Sequence, residues 1–230
     1  MVNIQYRSNL ISVIHEVESL NLTEAHHPYL QQTPFWNLIS SILTCKINHD
    51  HSRKSDVDVE MIIKAFDPLS KSFIMGGEKL PIRATEIQIM FGIEDGAEPI
   101  VTPKKLATPT TELVSRRFPG LRRIRKQNIS EALRQAADES TEIGREDAAR
   151  LLTLFCLATL FVPNKGHSLA WHYTMLVENV NQMRQYNWSE HILEFLENNL
   201  CSSTRDKGVG GCVMMLPVGF SYHYLYYIWY

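Results

Sequence analysis

The densest chemistry in the sequence is a run of cations, Arg116-Arg117-Phe118-Pro119-Gly120-Leu121-Arg122-Arg123-Ile124-Arg125-Lys126, with six positive charges in eleven residues. At that density, arginine and lysine neutralise phosphates, and the same pattern serves as a nuclear-import signal. Arg116, Arg117, Arg122, Arg123, Arg125 and Lys126 are therefore the candidate nucleic-acid or import-signal contacts, and Lys104-Lys105 would extend the patch. The plainer reading is a solvated face on a flexible segment. A second grouping, Cys45-x3-His49-x-His51 with His26-His27 upstream, offers soft sulfur and nitrogen ligands of the kind zinc takes. Its spacing matches no standard structural site, and a polar loop explains it more simply. No metal is expected.

Composition sets the frame for these groups. At 230 residues and 44% hydrophobic content, the chain can bury one proper core. A net charge of -2 argues against a protein-wide field for nucleic acid or membrane, so any such contact must be local. The four cysteines (Cys45, Cys156, Cys201, Cys212) show no close pair, which fits reduced thiols. The first residues lack a basic stretch followed by an apolar one, so an intracellular protein is expected, with the nucleus favoured by the basic run.

The elements that must position the cations read mostly as helices. Asp147 to Leu200 gives three in a row. Leu151 to Val162 is apolar all round but, at about a dozen residues, shorter than the roughly 20 a bilayer span needs, so it is a buried central helix. Pro163 stops it, and Ser168 caps a second helix with Leu169, Tyr173, Leu176, Val177 and Val180 on one face. Asn187 caps the third, Glu190 reaches back to its amide as in a capping box, and Trp188 anchors the corner.

Upstream, Ser8 opens a helix over Leu10 to Leu20, Thr33-Pro34 opens another, and Ser55 to Phe66 gives a third. Phe73 to Met75 and Glu78 to Ile82 flank Gly76-Gly77 as a β-hairpin, and Glu98 to Val101 reads as a third strand beside it. Thr85 caps a helix that ends at Phe91 with Gly92 as its left-handed stop. That helix is too short, and too poor in base-reading groups, for a winged-helix DNA reader. The Pro-, Thr- and Arg-rich stretch 102–128 reads as a flexible basic segment with one short helix at Glu112 to Arg117, and Asn128 with Glu131 opens a helix to Glu139.

The block LLTLFCLATLFVPN, then Val177-Glu178-Asn179 leading to Tyr186-Asn187-Trp188, and Val209-Gly210-Gly211-Cys212 ahead of Met215-Leu216, resemble a plant family. It is the transposon-derived domain of unknown function found beside SUMO-protease-like domains, akin to the aminotransferase-like plant mobile domain family. Phe73-Ile74-Met75 through Phe91-Gly92-Ile93-Glu94-Asp95-Gly96 resembles the same families' strand–turn–helix block, and the likeness covers roughly residues 30 to 216.

The aminotransferase label implies a Schiff-base lysine in a phosphate-cradling turn with an acidic partner for the ring nitrogen. Only Lys165-Gly166-His167-Ser168 places a lysine in such a turn, and an inter-helix loop explains it more simply. The protease neighbour implies a Cys–His–Asp set with an oxyanion-hole glutamine, and Gly211-Cys212 lacks the residues that should precede it. No catalytic, cofactor or small-molecule site is expected.

The expected fold is mainly α: a compact multi-helix domain over 1–216 with one small β-hairpin, extensible to three short strands. The expected role is a non-catalytic interaction module binding protein or nucleic acid, without membrane contact. The alternatives are an enzyme fragment of aminotransferase-like type, or a non-functional relic. Residues 217–230, with eight aromatic or His residues in the last eleven, fit no amphipathic template and read as a truncated or mis-spliced end. Uninterrupted transcripts across that junction would overturn this.

Overall fold

The computed structural model describes residues 8–48, 56–103, 109–164, 166, 168–202 and 208–216. The readings that fall on His49, His51, Lys104, Lys105, Lys165, His167 and the 217–230 tail lie outside those residues. Among the described residues the chain is mainly α. Helices α1 (Leu10–Ser19), α2 (His27–Leu30), α3 (Trp36–Leu43) and α4 (Asp56–Lys64) come first. Strands β1 (Phe66–Asp67), β2 (Ser72–Met75) and β3 (Glu78–Pro81) follow, then α5 (Ala84–Phe91) and α6 (Glu112–Arg117). The remainder is β4 (Ile124–Arg125), α7 (Lys126–Asp138), α8 (Glu142–Cys156), β5 (Ser168–Leu169), α9 (His172–Leu176) and α10 (Trp188–Leu200).

The post at the centre is α8. Thr141 starts it by accepting the Gly144 amide at 3.0 Å. Beyond Cys156 the chain widens into a π-helical turn over Leu157–Phe161, closed by the Val162 amide on the Leu157 carbonyl at 2.8 Å. Every residue from Asp147 to Phe161 except Ala158 is buried, as the all-round apolar run requires. α2, α7 and the 3-10 turn Val180–Gln185 pack on α8, α1 packs on the π turn and on α3, and α5 packs on α10. Phe161 gathers the helices that meet at the π turn: its ring lies 4.5 Å from that of Phe35 and 5.2 Å from that of Phe91, while Phe35 and Trp188 meet at 5.8 Å. Trp188 is the expected corner anchor, wholly buried, its indole N–H donating to the Met183 carbonyl at 2.7 Å. No helix among the described residues is long and apolar enough to cross a membrane.

The hairpin forms where two glycines permit it. Gly76 and Gly77 sit at φ +60° and +88°, the pair of positive values that a tight two-residue turn demands. Its third strand, however, is β1, which pairs antiparallel with β2 (Phe66 opposite Phe73) and not Glu98 to Val101. Residues 95–98 instead run along the chain before α10: Glu98 bridges Tyr186 in parallel, and Asp95 accepts the Trp188 and Ser189 amides at 2.9 and 3.1 Å. Glu190 therefore does not close a capping box, since the Asn187 amide is taken by the Glu98 carbonyl at 2.8 Å.

Other boundaries move for similar local reasons. Asn9, not Ser8, caps α1, because its Oδ1 accepts the Ser12 amide at 2.9 Å. Thr33 turns inward to the Leu30 carbonyl, so α3 begins only at Trp36. Arg83, not Thr85, precedes α5. Ser168 and Leu169 pair with Arg125 and Ile124 as a short antiparallel ladder, and this breaks the expected long helix into β5, α9 and the 3-10 turn.

Candidate functional site

The six cations divide into two groups. α6 has the expected bounds, with Thr111 Oγ1 accepting the Val114 amide and Glu178 Oε1 accepting those of Glu112 (2.9 Å) and Leu113 (3.4 Å). That anchorage turns its last two residues, Arg116 and Arg117, onto α8. There Asp147, with no exposed side-chain surface, accepts Arg116 Nη2 at 2.9 Å, Arg117 Nε at 2.8 Å and Arg150 Nη1 at 2.9 Å. Outer carboxylates complete the knot: Glu139 on Arg117 (2.6 Å), Glu146 on Arg150 (2.6 Å) and Glu112 on Arg116 (3.1 Å). Three guanidiniums thus face four carboxylates.

Burial alone would raise the Asp147 carboxyl, yet hydrogen bonds from Arg116 and Arg117 hold it below its ordinary value of 3.8. The Arg117 hydrogen bond likewise holds Glu139 below 4.5. Arg116 and Arg117 are accordingly structural cations. The expected flexible basic segment is, over this stretch, a helix fastened to the core.

The second group is open. Arg122, Arg123 and Arg125 are exposed and have no carboxylate partner among the described residues. Of the three, Arg125 lies in the β4–β5 ladder, and its amide donates to Asn128 Oδ1 at 3.0 Å. Lys126, the sixth candidate, is only half available. Its ammonium sits 5.3 Å from the centroid of the Phe155 ring, and burial lowers its pKa against the opposing pull of Glu16.

Trp171 was not singled out by its sequence context. It lies two residues past the ladder, at the helical start of α9, and its indole N–H donates to the Arg122 carbonyl at 3.3 Å. It packs on the core from one side and is half-buried. Forty-nine residues separate the two positions, so no local periodicity points to the pairing.

A different chemistry is gathered under α9 and α10. Tyr173 Oη and His191 Nε2 lie 2.8 Å apart, and the His172 ring centroid is 3.9 Å from that of Tyr173 and 6.4 Å from that of His191. All three are buried, and His172 Nε2 and His191 Nδ1 have no hydrogen-bond partner among the described residues. Burial pushes both imidazoles down to about 4 and pushes the tyrosine up. The cluster therefore stays neutral near pH 7.

The remaining candidates are engaged elsewhere. His26 Nδ1 meets the Thr23 amide and hydroxyl at 3.1 Å, and the His27 ring lies 5.6 Å from that of Trp36. All four cysteines are unpaired, with the buried thiols of Cys156 and Cys212 pushed up to about 12. No group of three or more metal-ligating side chains converges among the described residues.

The chain belongs to the family described as a domain of unknown function, DUF8566, which matches residues 47–217 and so takes in the knot, the open arginines and the histidine cluster. No curated protein and no solved structure matches it.

Proposed function

We propose that this DUF8566 member is a non-catalytic interaction module that contacts nucleic-acid phosphates through Arg122, Arg123 and Arg125. One observation carries the reading: within a single run of six cations, the fold consumes Arg116 and Arg117 in the Asp147 knot and leaves these three exposed, without carboxylate partners among the described residues. Arginines in that state contact phosphate at little desolvation cost. The likeness to plant mobile domains adds a transposon-derived origin and a nuclear setting to this reading.

The test is binding of the purified protein to nucleic acid across a salt series, beside a variant with Arg122, Arg123 and Arg125 changed to Ala. Each phosphate contact contributes a slope of about 0.7 to 0.9 in log affinity against log salt, so the triple variant should flatten the dependence by roughly 2 to 3. Binding and slope unchanged in the triple variant would overturn the proposal, as would no binding by the parent protein.

A further inference from the structure

We infer that the strand bound here is single-stranded, with an unpaired base stacked on Trp171; this rests on the phosphate-contacting reading of Arg122, Arg123 and Arg125. The geometry comes from one long-range contact. The β4–β5 ladder ends at Ile124 and Leu169, α9 starts just beyond it, and the indole of Trp171 at that start is hydrogen-bonded to Arg122. The indole N–H is spent on the Arg122 carbonyl, so the hydrogen-bonding edge of the ring is fixed to the protein. The rest of the half-buried ring is apolar, and the residue that anchors it, Arg122, is itself exposed.

Cations beside an aromatic platform are how sequence-tolerant single-strand binders hold their ligand, because every base has a face to stack and every nucleotide a phosphate. A duplex hides its base faces and is read by an element lying in a groove about 12 Å wide. The neighbouring helices are poorly suited to that element. α6 ends in the Asp147 knot, and α9 is five residues long with His172 and Tyr173 turned into the core. α7, which starts beside Arg125, exposes Glu131 and Asp138, and its Gln127 and Arg134 are held by Glu131 and Glu16. Arg122 to Arg125 spans at most about 10 Å when extended, the reach of a couple of nucleotides and not of a groove. An acidic peptide would satisfy the arginines but leave the indole face without a partner.

The experiment is fluorescence anisotropy with a labelled single-stranded oligonucleotide of about ten nucleotides, a duplex of the same length and a poly-glutamate peptide. It is run on the full chain, on Trp171→Ala and on Trp171→Phe, with a thermal melt of each. The parent protein should prefer the single strand. Trp171→Ala should weaken that binding by about tenfold or more, with Trp171→Phe close to the parent because a ring remains. If Trp171→Ala does not fold, Trp171→Phe still decides: the parent's tryptophan emission should be quenched by the oligonucleotide, and the variant should lose that quenching. Salt-dependent binding with no strand preference and no Trp171 effect would overturn the single-strand inference and leave the arginine site standing. Equal binding of poly-glutamate would overturn the inference too. No salt-dependent binding of either nucleic acid would remove both.

Discussion

Two polar sites lie within the core of this protein, and they survive burial by opposite means. Around Asp147, charge is retained: three arginines converge on one carboxylate, and further carboxylates close the outside. Around Tyr173, charge is given up: His172 and His191 stay neutral, and each leaves a ring nitrogen without a partner among the described residues. A buried ion is tolerable when its surroundings hydrogen-bond it fully, and a buried imidazole when it sheds its proton. The contrast also explains why a run of arginines cannot be taken as one surface, since two of them belong to the first site.

The largest effect that would break this comparison is removal of the shared anion. Asp147→Ala takes the shared anion from three guanidiniums, leaving each only its outer carboxylate, and should cost about 3–5 kcal/mol in chemical denaturation. A loss below about 1 kcal/mol would mean that the arginines swing out to water and that the knot is not needed.

Acid should then separate the two sites. With folded values near 4 against an ordinary 6.5, the imidazoles contribute stability that is fully present above pH 6.5 and lost as pH falls toward 4, because only the unfolded chain takes up protons there. The depressed Asp147 and Glu139 carboxyls keep their contribution down to about their ordinary values of 3.8 and 4.5, and lose it only as pH falls through their lower folded values. His172→Phe should thus remove about 2 kcal/mol of the loss between pH 6.5 and 5 while leaving the fall below pH 4 in place. An unchanged denaturation profile over the upper interval would sink the assignment.

The smallest effect lies at the rim of the knot. Glu112 is 84% exposed and pairs with Arg116 one turn away, so Glu112→Ala should shift stability by only about 0.5 kcal/mol. A change comparable to that of Asp147→Ala would show that position in the network, not burial, sets the energy.

Local signals in the sequence were faithful guides wherever the cause of structure was local. The Gly76-Gly77 turn, the left-handed stop at Gly92, the Asn187 cap and the bounds of α6 each depend on a few neighbouring residues, and each stands as read. Distant partners decided the rest. Phe66 and Asp67 fit a helical continuation but are claimed by β2, and Ser168 fits a cap but is claimed by β4. The candidate site was legible as charge and illegible as geometry. Nothing near Arg117 announces that Asp147, 30 residues on, will bury it, or that Trp171 will stand beside Arg122.

The tie between the start of α1 and the π turn has a consequence in time. The Ser8 hydroxyl donates to the Leu160 carbonyl, and the Asn9 amide to that of Thr159, both at 3.0 Å, the first bond spanning 152 residues. A ribosome adding about 5–20 residues per second needs on the order of ten seconds to supply that stretch. Until then Val13, Ile14 and Val17 have α3 to lean on but not the central post. Until residue 160 is made, the apolar face of α1 is therefore only partly covered, the kind of surface that holding chaperones bind.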